Sequence, residues 1–109
     1  IYAGSNNPDE VAWYDGNAES KTHRVAQLEP NGFGLYDMSG NVFEWVWDWY
    51  GDYSIENQSD PIGPSTGSLR VIRGGSWLYD SKRLRVSSRR GNFPTLRNDY
   101  LGFRLGRYL

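Results

Sequence analysis

The sequence predicts a domain made mostly of strand and loop, on three observations. Phe43, Trp45, Trp47 and Trp49 fall at every second position of the stretch 40–50, the period of a strand and not of a helix. Thirteen Gly and five Pro interrupt the 109 residues, too often for long regular elements. The hydrophobic share is only 38%, yet the aromatic share is 16%, from 5 Trp, 8 Tyr and 4 Phe. Burial is therefore expected to rest on a few large rings in a single domain.

In chain order, residues 1–31 are polar and broken. Ser5-Asn6-Asn7-Pro8-Asp9 and Asp15-Gly16-Asn17 read as turns, with Val11, Trp13 and Tyr14 as core anchors. His23 has no second His and no Cys near it, so a structural or merely exposed role is expected over metal ligation or base catalysis. A glycine-spaced loop, 31–40, leads into the central strand. That strand sets its four rings on one face and Val42, Glu44, Val46, Asp48 and Tyr50 on the other. Each ring can bury about 150–250 Å². Residues 51–68, with Pro61, Gly63 and Pro64, read as a long surface loop. Residues 69–73 read as a strand, Gly74-Gly75-Ser76-Trp77 as a close approach of Trp77 to the core, and 101–106 as a closing strand.

Charge divides the chain. Residues 1–69 hold Lys21 and Arg24 against eleven acids, and residues 70–109 hold ten basic residues against Asp80 and Asp99. The arginines are interspersed with apolar residues and not clustered, so the halves are expected to neutralise each other and not to bind nucleic acid. With no Cys, disulfides, thiolate metal sites and cysteine nucleophiles are excluded. No apolar run reaches the length of a membrane span, and no signal-peptide pattern opens the chain. Asp37 and Glu44, with carbonyls around Gly40 and Val42, offer oxygens suited to a hard cation. From spacing alone, pairing of Glu44 and Asp48 with arginines of the basic half is the competing and favoured reading.

Three ordered motifs then carry a resemblance: Gly34-Leu35-Tyr36-Asp37-Met38-Ser39-Gly40-Asn41-Val42-Phe43-Glu44-Trp45, Arg70-Val71-Ile72-Arg73-Gly74-Gly75-Ser76-Trp77, and Leu101-Gly102-Phe103-Arg104, with Arg85 to Arg89 between the last two. The chain resembles the C-terminal half of the formylglycine-generating-enzyme (sulfatase-modifying factor) family. The resemblance implies an α+β, C-type-lectin-like fold with little regular secondary structure and short antiparallel strands, this chain being mostly β and loop. The N-terminal half of the domain is then expected as a partner absent from this chain. The resemblance further implies a structural Ca²⁺ held by Asp37, Gly40, Val42 and Glu44. It does not carry over catalysis, because the copper-binding cysteines of the oxidases fall where this chain has Leu78-Tyr79-Asp80-Ser81-Lys82-Arg83-Leu84 and no soft Cu(I) site can form. The alternative is the C-terminal half of an iron-dependent sulfoxide synthase or other oxidoreductase of the family, with its iron ligands in another domain.

Residues 73–104 also look like the variable region of proteins diversified by retroelements, in which adenines of Asn codons are mutated and the products displayed on a lectin-like scaffold. The matching positions are Leu78, Tyr79, Asp80, Arg83, Ser88, Arg90, Gly91, Asn92, Phe93, Leu96, Asn98, Asp99 and Tyr100. None of the thirteen is Lys, Glu, Gln, Met or Trp, the residues such mutation cannot produce. At ordinary composition, where those types are about a fifth of residues, chance gives this roughly one time in twenty. Aromatics beside Arg in a stretch broken by Gly91 and Pro94 suit an exposed protein-binding surface, although Phe93 and Leu96 could instead plug the core. The expectation is a non-catalytic recognition module whose residues 78–100 meet a protein ligand, at the cell surface or outside the cell. Carbohydrate binding is a third reading, but fold does not fix function.

Overall fold

In the computed structural model, which describes residues 1–51 and 63–106, the alternating rings form strand β1 (Phe43–Trp49). Strand β2 (Arg70–Arg73) pairs with it antiparallel, Trp45 opposite Ile72 and Trp49 opposite Arg70, with a bulge between. Strand β3 (Arg89–Asn92) continues the sheet antiparallel to β2, and strand β4 (Leu101–Gly102) lies parallel to β1 on its other side. The sheet order is β3-β2-β1-β4. The closing strand is thus shorter than the predicted 101–106, and its pairing is parallel. Its ladder stops because Arg104 turns away to bond Glu44 and the carbonyls of Tyr36 and Asp37.

Pro8–Val11 forms a single helical turn, α1, where the sequence suggested only a reverse turn. The Asn7 side chain accepts from Asp9 N and Pro8 needs no donor partner in the first turn, so the start is capped. A 3₁₀ turn at Ser81–Leu84 is capped likewise by the Asp80 carboxylate, which accepts from Lys82 N. That turn drives Leu84 against Val11 and Ala12, with Tyr2 and Tyr14 packed beside them. No described helix is long and apolar enough to cross a membrane.

The buried apolar residues are Val11, Ala12, Ala18, Phe43, Val71, Ile72 and Leu84, so aliphatics dominate and Phe43 is the one ring among them. This corrects the expectation of a core made by four rings on one face. Phe43 is covered because Tyr79 and Tyr100 pack on it. At the other end of β1, Trp47 is 81% exposed, touched by the Arg70 guanidinium that also stacks on Trp49.

The loop before β1 is fastened by groups whose role the sequence did not announce. Asn41 is buried with φ +66°, accepts from His23 N through Oδ1 and donates to His23 O through Nδ2. Its own amide donates to Trp13 O and its carbonyl accepts from Trp77 N. His23 stacks on Trp13 at 3.8 Å, with Nε2 2.7 Å from Ala18 O, which is a structural role. Gly40 is required in this loop: its φ is +83°, and a Cβ there would lie 2.6 Å from Trp13 O. Of the predicted loop 51–68, residues 63–68 are exposed and residues 52–62 lie outside the described residues.

Candidate recognition surface and cation site

None of the thirteen candidate positions is buried. Leu78, Asp80, Arg83, Phe93 and Asp99 are exposed, and Tyr79, Ser88, Arg90, Gly91, Asn92, Leu96, Asn98 and Tyr100 are half-buried. Phe93, at 62% exposure, does not plug the core. Its carbonyl accepts from Leu96 N in a turn beyond β3.

Four of the thirteen are linked by contacts: Tyr79 and Tyr100 pack on the buried ring of Phe43, Arg90 lies over Tyr79, and Asn98 bonds Tyr100. The Tyr79 and Tyr100 rings meet Phe43 edge to face at 5.4 and 6.3 Å, and meet each other at 5.5 Å. Such pairs contribute about 0.5–1.5 kcal/mol beyond their burial. Arg90, opposite Ile72 in the ladder, lays its guanidinium over Tyr79 at 5.2 Å. Asn98 Oδ1 accepts from Tyr100 N, turning the chain into β4. Burial, and then hydrogen bonding with Tyr79, raise the Tyr100 hydroxyl above its ordinary pKa, while the charge of Arg90 opposes the rise.

Two supports escaped the sequence reading. Trp77 donates through Nε1 to Asp99 O at 2.9 Å, and Asp15 N donates to Tyr79 O at 3.0 Å. Only the glycine pair before Trp77 hinted at the first. Gly91 is a restricted member of the set: a Cβ there would stand 2.7 Å from Tyr50 Cγ, so a side chain requires Tyr50 to move.

The candidate cation residues share one wall. Asp37, Gly40, Val42 and Glu44 line a cavity of about 440 Å³, with Tyr36, Phe103 and Arg104 also on its surface. Asp37 is buried with φ +57°; its Oδ2 accepts from Ala26 N, and its Oδ1 is buried with no hydrogen-bond partner. An orphaned carboxylate oxygen beside a second carboxylate is chemistry that suits a hard cation. Glu44 is meanwhile held by Arg104 at 2.9 Å, whose pKa is raised chiefly by that hydrogen bond. Among the described residues no three His, Cys, Asp or Glu side chains converge, so the candidate set has at most two carboxylates, with backbone oxygens. Glu44–Arg104 is also the one ion pair between described residues.

Known proteins bear on this geometry. The model of the sulfatase-modifying factor enzyme 1-like domain matches residues 2–109. A formylglycine-generating enzyme of Streptomyces coelicolor is 46% identical over 88 residues, covering 76% of this chain and 28% of that protein. The serine/threonine-protein kinase pkn1 of Chlamydia pneumoniae is 44% identical over 87 residues, covering 76% of this chain and 14% of that protein. Among solved structures, Treponema denticola variable protein 1 is similar with a TM-score of 0.86 at 43% identity, covering 92% of this chain and 38% of that one. The chain thus spans well under half the length of each of these relatives. Matched from residue 2 to its last residue, it belongs to the sulfatase-modifying factor enzyme 1-like (formylglycine-generating-enzyme-like) family and has that family's C-type-lectin-like fold.

Proposed function

We propose that this chain is a non-catalytic recognition module, displaying residues 78–100 as a variable, retroelement-diversified surface to a protein ligand. The observation that carries the reading is that none of the thirteen candidate positions is buried, while the residues beneath them, Phe43, Ile72 and Leu84, are almost fully so. A surface can change its side chains without unfolding the domain only where the core does not depend on them, so Tyr79 and Tyr100, which cover Phe43, can vary only among side chains that still cover that ring. The likeness to Treponema denticola variable protein 1 supports the same reading. Tyr79, Tyr100 and Phe93 supply apolar anchors, and Asp80, Arg83, Arg90, Asn98 and Asp99 supply polar complementarity.

The scaffold part of the proposal is a structural Ca²⁺ at Asp37, Gly40, Val42 and Glu44, supported by the orphaned Asp37 Oδ1. When bound it would supply positive charge that fixes the loop before β1. No catalytic residue is assigned to the chain.

The test randomises the thirteen positions through mutated Asn codons, displays the library on phage and pans it against lysozyme and serum albumin as unrelated protein targets. Binders are expected whose affinity follows the randomised residues. A library that folds yet yields none contradicts the recognition reading. For the cation, the wild-type melting temperature should fall in chelator and that of Asp37→Ala or Glu44→Ala should not; a wild type indifferent to chelator contradicts it.

A further inference from the structure

Within the candidate surface, one guanidinium differs from the others in its partners. Arg90 is half-buried, yet among the described residues its guanidinium has no carboxylate and no carbonyl acceptor; it lies over the face of Tyr79 at 5.2 Å. The other half-buried arginines differ. Arg70 donates to Trp47 O and Arg89 to Gly51 O. A guanidinium carries five donors in a planar fork matched to a carboxylate, and stacking on a ring leaves those donors without an acceptor from the protein. Stacking on Tyr79 holds that fork in one orientation, which lowers the entropy lost when an anion binds.

The surroundings favour a negative group. Residues 78–100 contain six basic residues against Asp80 and Asp99. Asp80 is already engaged in capping Lys82 N. Asp15, the acid joined to Tyr79, reaches it through its backbone amide. The Tyr100 ring packs edge to face on Tyr79, the ring beneath the fork, and Asn98 Oδ1 accepts from Tyr100 N.

We infer that Arg90 is the carboxylate-reading point of this surface, and that the protein ligand presents an Asp or Glu side chain to it beside the packed Tyr79–Tyr100 pair. The inference rests on the recognition reading and adds the chemistry of the partner to it. A bidentate arginine–carboxylate contact gives direction as well as attraction. The surrounding positive charge adds steering that weakens with salt.

The experiment selects peptides from a random dodecapeptide phage library against the full chain, then repeats the selection against Arg90→Gln and Arg90→Glu, with thermal melts confirming that each variant is folded. Wild-type selections should be enriched in Asp and Glu, and their peptides should bind Arg90→Gln roughly tenfold or more weakly. Arg90→Glu should select Lys- and Arg-bearing peptides instead, a reversal that a merely structural arginine would not produce. Peptides that compete with one another at residues 78–100 but show no acidic bias, and bind Arg90→Gln unchanged, overturn the inference and leave the recognition reading standing. Failure to select any peptide that depends on residues 78–100 counts against both.

Discussion

Arg104 grips Glu44 with two nitrogens, Nε at 3.1 and 3.3 Å from the two carboxylate oxygens and Nη2 at 2.9 Å from Oε2. The same Nη2 donates to Tyr36 O and Asp37 O, so one side chain ties β1, the preceding loop and the chain after β4 together. The pair is partly exposed, at 35% and 23%, and solvent screening keeps its value near about 1 kcal/mol. Arg104→Gln should therefore lower the melting temperature in chelator by about 5 °C. If Ca²⁺ shares Glu44 with Arg104, the same variant should show a larger stabilisation by Ca²⁺ than wild type. Calorimetry with and without Ca²⁺ reads both; a smaller gain in the variant would mean that Arg104 assists the metal and does not compete with it.

Phe43 is the floor on which Tyr79 and Tyr100 stand. Phe43→Ala should cost about 3–5 kcal/mol, as deletion of a fully buried ring does. Tyr100→Phe keeps the ring packing and should change stability little. Urea denaturation distinguishes them, and equal costs would mean that the tyrosine hydroxyl, not the ring stack, supports the surface.

Asn41 offers a sharper test of the loop. Replacing it with Ala removes both bonds to His23 and leaves a Cβ residue at φ +66° without a side-chain amide to compensate. The loss should be about 2 kcal/mol or more. Asn41→Gly relieves the backbone but not the bonds, and should be the milder variant. Hydrogen exchange at the His23 amide, protected in wild type, should become fast in both.

Tyr14 donates to Asp9 Oδ1 at 2.7 Å, and that bond, with smaller contributions from burial and nearby acids, raises its pKa from 10.0 to about 12. The folded state therefore favours the protonated phenol. Its stabilising share is fully present below pH 10, the unfolded value, and is lost as pH rises toward 12. Tyr14→Phe should be less stable than wild type at pH 8, and the gap should close by about pH 12. A gap that stays constant from pH 8 to 12 would show that the Asp9 bond contributes nothing.

How far the fold could be read depended on whether a signal was local. The strands at 43–49 and 70–73 announced themselves through period-2 aromatics and a β-branched pair, because alternation is written in adjacent residues. β3, reading Arg-Arg-Gly-Asn, carries no apolar pattern; it is a strand because β2 offers it a ladder. The burial of Phe43 but not of Trp47 was equally illegible, since what covers a ring comes from residues far along the chain, here Tyr79 and Tyr100. At the site, the positions could be named from a motif pattern. Their meeting at Tyr79, Arg90, Asn98 and Tyr100 could not, because it depends on the β2–β3 register and on the Trp77–Asp99 bond.

The most direct test of the account is a saturation scan in which every variant is scored for folding by protease resistance on display. Leu78, Arg83, Phe93, Leu96 and Asp99 should accept nearly all residues, Asp80 should favour the capping residues Ser, Thr and Asn, Gly91 should resist large ones because of Tyr50, and Phe43, Ile72, Leu84 and Asn41 should accept almost none. Candidate positions as intolerant as the core beneath them would contradict the claim that this surface is free to vary in order to recognise.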